Sequence, residues 1–422
     1  MQFFHINDPV SGFISVPRKF REVIDSEEIQ RLRRIKQLSG APYVYPGANH
    51  TRFEHSMGVM YEVRKQLDFL VNTKGIEIDQ ELYDSTLLAG LCHDIGHGAF
   101  SHNFEEVLLA QSGQAHEDFT RYLLLNSVIG DIISNLGLNK RVIADLALGN
   151  LNREEYFFLD QIITGPLDCD SRDYLVRDSY HCGTRFANHS ERLVILSDVT
   201  DESNLAYNIK GISDIESFLL TRLNAFRTIY FHKTSRSVQI MIGEAIRKLG
   251  EDVNLVEYNS PEEYLKWDDL SLYYHLLHNE KSKSIIQRIN RRDLLKSCYE
   301  KPSFILKNNP QASFVNKSDE IRQAIAEKAK ISVDDVYIDL PFMPSVPYQH
   351  TSSLKPNEIP VISVDGKGNK TPVSLVDYSL FFPLIQGYFN IIRVYTLRKN
   401  QEQVGLAAKK ILKDPIVYSD PE

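Results

Sequence analysis

The sequence lacks the features that mark a secreted or a membrane protein. It has only 4 cysteines among 422 residues, and they form no CxxC pair and no disulfide framework. Its amino terminus has no basic segment followed by an apolar run, so no signal peptide is predicted. The most apolar late segment, SLFFPLIQGYFNIIRVY, is interrupted by proline, polar and charged residues, which indicates buried elements and no membrane span. We therefore expect a cytoplasmic protein.

The chain also lacks an excess of positive charge, internal repeats and low-complexity tracts. The formal net charge is −8, so nothing global indicates a nucleic-acid coat or a protein that binds anionic membranes. Apolar residues make up 42% of the chain and charged residues 25%, as in ordinary folded proteins. A chain of this length can bury a large core, and its function has to be sought in local clusters.

Most of the chain has the pattern of amphipathic helices. From about residue 25 to about residue 300, segments such as SEEIQRLRRIKQL and EHSMGVMYEVRKQLDFLV carry apolar residues three or four positions apart, and Ser26 is a suitable N-cap for the first of them. Later, prolines and short β-branched runs appear, and DGKGN between two apolar runs predicts a hairpin. We predict a mainly α protein with a helical core over residues 1–300 and a smaller C-terminal α+β lobe over residues 301–422.

What the sequence does have is a histidine cluster. The stretch LCHDIGHGAFSH contains 3 of the 13 histidines. His93 and Asp94 are neighbours, and neighbours on a helix point about 100° apart, so both can reach one metal ion only where the helix ends. Gly96 and Gly98 are predicted to end it there, because glycine tolerates the backbone conformations that close a helix. A His-Asp pair at a helix end presents nitrogen and oxygen donors to one ion.

Two further donors are needed for a stable metal site. His55 stands at the start of a strongly amphipathic segment, although such a histidine is also an ordinary polar residue. The segment GPLDCDSRDYLVRD offers four aspartates, which could equally form a solvated acidic face, and the residues alone do not choose among them: Asp168, Asp170, Asp173 and Asp178. Two histidines and two aspartates would leave metal positions open for water and a substrate oxygen.

A zinc peptidase is the first alternative to exclude. His93 and His97 have the HxxxH spacing of those enzymes, with Asp94 in place of their glutamate base. That motif requires one continuous helix, and Gly96 and Gly98 argue against it. Aspartate is also shorter than the usual base. We therefore reject the peptidase interpretation.

Three segments together resemble a known family. RFEHSMGV, LCHDIGHGAFSH and LDCDSRDYLVRDSYHCG are similar to motifs of the HD-domain superfamily and, more closely, of the deoxynucleoside triphosphate triphosphohydrolases. The similarity begins at INDPVSGFI and recurs at INRRDLLK and IIRVY, so it touches most of the chain. The resemblance implies an HD-domain helical core and metal-dependent hydrolysis of a dNTP to a deoxynucleoside and inorganic triphosphate.

The resemblance also implies the metal ligands, which are His55, His93, Asp94 and Asp170. Asp170 is preferred because the family's last ligand stands four residues before a tyrosine, here Tyr174. The identity of the divalent metal stays open, because a His/Asp site accepts Fe, Mn, Zn, Ni, Co or Mg.

The catalytic residues implied by the family are His97, His102, Glu105, His116 and Glu117. In the implied mechanism, water activated by the metal attacks the α-phosphorus, and a histidine protonates the leaving 5′-oxygen. His102, oriented by Glu105, is the expected acid. His116 with Glu117 is the next candidate, although an ordinary surface histidine is its simplest interpretation from the residues alone.

A set of positions matches the family's contacts with the substrate: Gln37, Arg52, Tyr174, Asp178, Arg222 and Tyr230. The arginines would neutralise phosphate oxygens, Gln37 would bind the 3′-hydroxyl, and Tyr174 would pack against C2′ and exclude a ribose hydroxyl. The chain departs from the vertebrate members at two positions. Ser171 replaces a phosphate-binding lysine and Phe231 replaces a glutamine, which puts phosphate affinity and base preference in doubt.

The resemblance further implies activation by GTP or dGTP at a second site. The matching positions are Asn7, Asp25, Gln30, Arg33, Lys210, Lys233 and Arg292. Asp25 could accept hydrogen bonds from guanine N1 and N2, and Arg33 could donate to O6 and N7. Such sites draw on several subunits, so we expect a homo-oligomer, a dimer or a tetramer. Phe4 replaces a lysine of the vertebrate members, and the alternative is that these residues only cap and solvate the first helix.

Two other functions remain as alternatives. Another HD-type phosphohydrolase would act on nucleoside monophosphates, cyclic nucleotides or guanosine tetraphosphate, but the long leader QLSGAPYVYPGANHTRFEH argues against it. A nucleotide or nucleic-acid sensor with vestigial hydrolysis is favoured by QRINRRDLLK and by one basic run: Arg31, Arg33, Arg34 and Lys36. All four implied metal ligands are present, so we favour the enzyme.

Overall fold

The computed structural model describes residues 2–186, 191–305, 317–340, 342–344, 359–382 and 388–412. It confirms a mainly α protein with a smaller α+β part toward the C-terminus. The described helices are, in chain order, α1 (Arg21–Ile24), α2 (Glu27–Arg31), α3 (Arg52–Asn72), α4 (Gln80–Cys92), α5 (His102–Ser112), α6 (His116–Asn126), α7 (Val128–Asn135), α8 (Lys140–Ala147), α9 (Phe157–Thr164), α10 (Cys169–Cys182), α11 (Glu191–Ile195), α12 (Ile212–Ala225), α13 (Lys233–Leu249), α14 (Pro261–Leu265), α15 (Asp269–His278), α16 (Lys283–Asn290), α17 (Ser318–Ala329), α18 (Leu375–Tyr378) and α19 (Gln401–Ile411).

Short strands form three small sheets in the described residues. Strands β1 and β2 are an N-terminal antiparallel hairpin, β3, β4, β8 and β9 form a second sheet, and β10 pairs with β5, β6 and β7 in a third. The strands are β1 (Phe3–Asp8), β2 (Gly12–Pro17), β3 (Ser197–Val199), β4 (Leu205–Asn208), β5 (Lys296–Ile305), β6 (Val336–Asp339), β7 (Phe342–Pro344), β8 (Val361–Val364), β9 (Lys370–Val373) and β10 (Tyr388–Thr396). The antiparallel pair of β8 and β9 confirms the hairpin predicted around DGKGN.

Helix α3 is the centre of the helical core and packs against α4 and α10. Its apolar side chains Val59, Val63, Leu67 and Leu70 recur every three or four residues and are fully buried, as the amphipathic pattern predicts. Each such side chain contributes about 1.5–3 kcal/mol of hydrophobic stabilisation. The histidine cluster lies at or next to the ends of these three helices.

The C-terminal part is divided between two hydrophobic cores. Val361 of β8 and Tyr395 of β10 belong to the main core, whereas Val336, Val394 and Val404 belong to a separate, smaller core. Strand β5 runs through residue 300. The division of the chain at residue 300 stays a prediction.

The structure corrects the reason given for two glycines and the length of one helix. Helix α4 ends at Cys92, but neither Gly96 nor Gly98 has the positive φ of a helix-closing glycine. A Cβ on Gly96 would lie 2.1 Å from the His116 carbonyl oxygen, so close packing of backbone against α6 is what requires glycine here. The predicted helix SEEIQRLRRIKQL is shorter than expected, because α2 ends at Arg31 and one 3₁₀ turn follows.

Part of the late apolar segment is more exposed than predicted. The side chains of Leu380 and Phe381 face solvent, and residues 383–387 of the same segment lie outside the described residues. Among the helices that the structure describes, none combines the length and the apolarity needed to cross a lipid bilayer.

Candidate metal centre and active site

Three helices bring the predicted metal ligands together. His55 lies in the first turn of α3, His93 and Asp94 follow the last residue of α4, and Asp170 lies in the first turn of α10. Asp168 positions that turn by accepting a hydrogen bond from the Ser171 amide at 2.7 Å. One donor atom from each of His55, His93 and Asp170 lies within 4.8 Å of the other two. Residues far apart in the sequence therefore form one cluster.

The distances within the cluster suit a shared cation. His55 Nε2 lies 3.0 Å from Asp170 Oδ1, and His93 Nε2 lies 3.7 Å from the same oxygen. Asp94 lies beside them, with Oδ2 3.7 Å from His55 Nε2 and Oδ1 3.3 Å from His93 Nε2. The Asp170 side chain is 37% exposed, whereas the other three are almost buried. The cluster is thus open to solvent on the Asp170 side.

The second ring nitrogen of each histidine is held by the protein. His55 Nδ1 lies 2.8 Å from Asp173 Oδ2, and His93 Nδ1 lies 2.9 Å from the Gly90 carbonyl oxygen. Such hydrogen bonds fix the tautomer of metal-binding histidines and leave Nε2 for the ion. His93 Nε2 is buried and has no hydrogen-bond partner in the described chain. The residues therefore fit a divalent cation at this position.

The charges in the cluster also favour a cation. Burial opposes the protonated form of His55, but hydrogen bonds with Asp170 and Asp173 raise the pKa of this histidine to about 10. Against the effect of burial, the same histidine and His93 hold the pKa of Asp170 below its ordinary value. A positive charge is thus strongly stabilised between these groups, and a metal ion at Nε2 would take the place of the proton there.

Buried ion pairs fix Asp173, the residue that contacts His55 Nδ1. Arg177 has no exposed surface and lies 2.8 Å from Asp173 Oδ2 and 2.8 Å from Asp8 Oδ2. A Cβ on Gly58 would lie 1.9 Å from Asp173 Oδ1, so glycine is needed for this approach. Sequence reasoning treated Asp173 only as an alternative to Asp170 and missed Asp8 and Arg177. The four-residue spacing between Asp173 and Arg177 on α10 was the available signal.

The four aspartates of GPLDCDSRDYLVRD do not form a solvated face. Asp173 and Asp178 are fully buried, Asp168 is nearly so, and each has a defined hydrogen-bond partner. The Ser171 hydroxyl donates a hydrogen bond to Asp168.

Three predicted catalytic histidines lie next to the metal cluster. The rings of His97 and His116 are stacked with centroids 3.8 Å apart, and His97 Nε2 lies 3.4 Å from Asp94 Oδ1. Glu105 bridges the other two, because Oε1 lies 2.5 Å from His116 Nδ1 and Oε2 lies 3.0 Å from His102 Nδ1.

The pKa values of the two stacked rings are shifted in opposite directions. Burial and the nearby Arg52 guanidinium hold the pKa of His97 well below its ordinary value, so this ring is neutral. Burial also opposes the charge on His116, but its hydrogen bond with Glu105 raises the pKa of this histidine overall. Glu117 lies 3.2 Å from His116 Nδ1. His102 differs from both because its side chain is 74% exposed, which makes it accessible to a molecule outside the core.

Two predicted substrate-binding residues contain buried polar atoms without protein partners. Arg222 Nε and Nη1 and Gln37 Oε1 are buried and have no hydrogen-bond partner in the described chain. Leaving such a group unsatisfied costs about 1–3 kcal/mol, more when it is charged, so these atoms are available to a polar ligand. Arg52 is instead anchored, with Nη1 2.5 Å from Asp94 Oδ2 and Nε 2.8 Å from Ser101 Oγ.

Tyr174, Asp178 and Tyr230 lie close together, the first two on α10. Tyr230 ends a five-residue π-helical turn after α12, and its ring centroid lies 6.2 Å from that of Tyr174. Asp178 accepts a hydrogen bond from the Tyr230 hydroxyl at 2.5 Å and lies 2.7 Å from His50 Nε2. Sequence reasoning missed His50, which stands two residues before Arg52 and is fully buried.

The predicted effector positions are arranged differently. Arg33 donates to Gln30 Oε1 at 2.9 Å and its guanidinium lies 3.5 Å from the centroid of the Phe53 ring. Asp25, which follows α1, has a side chain that is 62% exposed and pairs with Arg21 at 3.4 Å. The other four positions are exposed and belong to separate elements: Asn7 in β1, Lys210 before α12, Lys233 at the start of α13 and Arg292 after α16.

Comparison with known proteins gives the family. The HD domain matches residues 52–163, and the HD associated region matches residues 190–363. The chain is 32% identical over 309 residues to a deoxynucleoside triphosphate triphosphohydrolase SAMHD1 homolog of Dictyostelium discoideum, which covers 69% of this chain and 59% of that protein. It is also 32% identical over 382 residues to an uncharacterized protein of Methanocaldococcus jannaschii, which covers 89% and 75%.

A solved structure gives the same architecture. The crystal structure of a hypothetical protein from Aquifex aeolicus matches 96% of this chain and 99% of its own with a TM-score of 0.77 and 26% identity. Fold and site thus define a hydrolase with a candidate divalent metal site. The chain belongs to the HD-domain phosphohydrolases and is similar there to the deoxynucleoside triphosphate triphosphohydrolases, which confirms the resemblance. It spans about 59% of the length of the Dictyostelium relative.

Proposed function

We propose that the protein hydrolyses deoxynucleoside triphosphates to deoxynucleosides and inorganic triphosphate. The observation that carries this proposal is the combination of a cluster suited to a cation with buried groups that lack partners, namely Arg222 Nε and Nη1 and Gln37 Oε1. Such groups match a phosphate and a sugar hydroxyl. The similarity to the deoxynucleoside triphosphate triphosphohydrolase homolog of Dictyostelium supports the same substrate class.

The metal would be held by His55, His93, Asp94 and Asp170. A bound divalent ion lowers the pKa of a coordinated water and polarises a phosphoryl oxygen. Around that position, Arg222 would donate to the phosphates from Nε and Nη1, the two atoms that lack a hydrogen-bond partner in the described residues. Arg52 would act on both the metal ligands and the phosphates. Its contact with Asp94 fixes that carboxylate, and the positive charge of its guanidinium would attract the phosphates.

The leaving 5′-oxygen needs a proton, and His102 is the group to supply it. Its Nδ1 is held by Glu105 at 3.0 Å, which leaves Nε2 free to face the substrate. As the bond between the α-phosphorus and the 5′-oxygen breaks, the proton on Nε2 passes to that oxygen. One water is consumed, its oxygen ends on the triphosphate, and a proton that it releases restores His102. His116, whose pKa is raised by its hydrogen bond with Glu105, and His97, whose pKa is lowered, would lie beside the phosphates.

Four residues would recognise the sugar: Gln37, Tyr174, Asp178 and Tyr230. Gln37 would bind the 3′-hydroxyl, with Asp178 and Tyr230 beside it. Tyr174 would fill the space next to C2′, so that a ribonucleotide is excluded by contact with the ring.

We extend the proposal to regulation and assembly. GTP or dGTP would bind between subunits of a homo-oligomer, a dimer or a tetramer, at the seven effector positions, and a cytoplasmic location would supply these nucleotides. The support is that Asp25 and Arg33 are exposed on one stretch of the chain that also carries Gln30, whereas the three other basic positions lie on separate elements.

The experiment that tests the activity is a product analysis. Purified protein is incubated with each dNTP and rNTP in the presence of Mn²⁺ or Mg²⁺, and products are separated by chromatography. We expect a deoxynucleoside and inorganic triphosphate from dNTPs, with the rNTPs cleaved much more slowly. Release of pyrophosphate or of single phosphate groups would reject the proposal in favour of another phosphohydrolase activity.

A further inference from the structure

An unusual turn delivers the proposed acid to the site. Phe100 and Ser101 are consecutive non-glycine residues with φ of 56° and 52°, and they immediately precede His102, the first residue of α5. Residues in this left-handed region cost about 1–3 kcal/mol each and persist only where the surroundings impose them. Some contact must therefore hold this turn, and with it the direction in which α5 starts.

Three hydrogen bonds that involve side chains hold the turn. The Phe100 amide donates to Asp269 Oδ1 at 2.7 Å. The Ser101 hydroxyl donates to the Lys36 carbonyl oxygen at 3.1 Å and accepts from Arg52 Nε at 2.8 Å. Asp269 lies beyond the C-terminal end of the HD domain match, because it is the first residue of α15, and it is only 8% exposed.

The second oxygen of the same carboxylate holds the segment that carries Gln37. The Lys36 amide donates to Asp269 Oδ2 at 3.0 Å. Gln37 follows directly, and its own amide donates to the His50 carbonyl oxygen at 3.1 Å. One buried side chain thus ties the turn before the acid to the segment before the proposed sugar-binding residue.

The geometry points to Asp269 as a positioning residue for His102 and Gln37. This inference rests on the proposed function, in which His102 protonates the leaving oxygen. The neighbouring Asp268 has a different task. It caps α15 through the Leu270 and Ser271 amides at 3.0 and 2.9 Å and pairs with Arg34, and no contact of Asp268 with the turn is found among the described residues.

Dependence on the leaving group separates positioning from simple destabilisation. A deoxynucleoside leaves as an alkoxide that needs a proton, whereas p-nitrophenolate leaves without one. Loss of a general acid therefore slows the first kind of substrate and spares the second. A protein that is merely less stable, or that has lost its metal, loses both activities together.

The test compares Asp269→Asn with wild type, with the matched control Asp268→Asn and with His102→Ala, all loaded with Mn²⁺ and checked for metal content and circular dichroism. The substrates are a dNTP and bis(p-nitrophenyl) phosphate. For Asp269→Asn we expect kcat on the dNTP to fall about 10²-fold, as for a misplacement of about 1 Å, and KM to rise because Gln37 is released. Turnover of the aryl diester should change by less than about threefold.

His102→Ala defines the expected signature, with a loss of about 10²–10⁴-fold on the dNTP alone, and Asp268→Asn should show none of it. An equal loss on both substrates in Asp269→Asn, or no loss on either, would overturn the inference.

Amide hydrogen exchange gives a second measurement that needs no turnover. In Asp269→Asn, peptides that contain Lys36 and Phe100 should exchange faster than in wild type, while the rest of α5 keeps its protection. Unchanged exchange at both amides would also overturn the inference. If wild type releases no triphosphate from any dNTP, the proposed function fails, and the exchange data together with the aryl diester still decide whether Asp269 holds the turn.

Discussion

The metal cluster and the predicted effector positions of this chain are built in opposite ways. In the cluster, donor atoms from three separate segments lie within 4.8 Å of one another, and each histidine has its second nitrogen fixed by a buried partner. At the effector positions, the charged side chains are exposed and belong to several elements, with Asp25 62% exposed.

This difference separates what one subunit completes from what it leaves open. Buried polar groups keep their geometry because every alternative is worse by the free energy of an unpaired group. Exposed arginine and lysine side chains have no such constraint and adopt one arrangement only when a ligand or a partner provides it. We therefore expect the metal centre to form in the monomer and the effector site to depend on assembly.

The largest expected effect breaks the first half of this comparison. Asp170→Ala should abolish metal retention and hydrolysis, because it removes an oxygen of the proposed ligand set. Metal content by plasma emission spectrometry and dNTP turnover would be measured together. Asp131→Ala, which removes an exposed carboxylate paired only loosely with Lys140 at 3.6 Å, is the control. Full activity in the Asp170 variant would reject the metal site.

The next largest effect concerns the support behind His55. Arg177→Met should lower the free energy of unfolding by about 3–5 kcal/mol, because Asp8 and Asp173 are left buried without their cation. It should also weaken metal binding by about 10–100-fold through the released Asp173. Arg247→Met removes an exposed guanidinium paired with Glu244 and should change stability by less than about 1 kcal/mol. Denaturant titration of both variants checks the prediction, and equal effects would contradict it.

A smaller effect sharpens the assignment of the sugar pocket. Tyr174→Ala should open space beside C2′ and shift the ratio of kcat/KM for dNTP over rNTP toward the ribonucleotide by about tenfold or more. Tyr180→Ala changes an exposed tyrosine on the same helix and should leave the ratio unchanged. If the ratio is also unchanged in the Tyr174 variant, sugar selectivity is set by other residues.

The smallest expected effect tests the second half of the comparison. GTP or dGTP should increase the turnover of wild type by about fivefold or more and raise its mass in light scattering, and Asp25→Ala should remove both responses. Glu22→Ala, an exposed change in α1, is the control. Activity and mass that ignore every guanine nucleotide would reject the effector site and leave the metal centre standing.

The sequence was informative where the relevant residues lie close together along the chain. The amphipathic period of α3 and the cluster LCHDIGHGAFSH could be predicted because they depend on neighbours in the chain. The choice among four aspartates could not, since Asp170, Asp173 and Asp178 differ only in which distant group they meet, which is His55 Nε2, His55 Nδ1 or Tyr230. Only the resemblance to a family selected Asp170.

The residues that were missed act over long separations. Asp8 meets Arg177, and Asp269 meets Phe100, in both cases across 169 positions of the chain. No local period or motif announces such a contact, because an aspartate near a helix start is ordinarily explained by capping. The role assigned to Gly96 was wrong for a related reason, since its constraint comes from the backbone of α6.

The pairing of β4 with β8 has a consequence for how the chain is synthesised and folded. These strands run parallel, with Tyr207 opposite Val361, and Val361 is buried in the main core. The ribosome synthesises β4 long before β8. Until β8 is made, the edge of the sheet at β4 is unpaired and the main core lacks the Val361 side chain. Contacts between residues so far apart in the sequence slow folding and lengthen the period in which chaperones are needed. A gene fragment that stops between β4 and β8 would encode this incomplete state permanently.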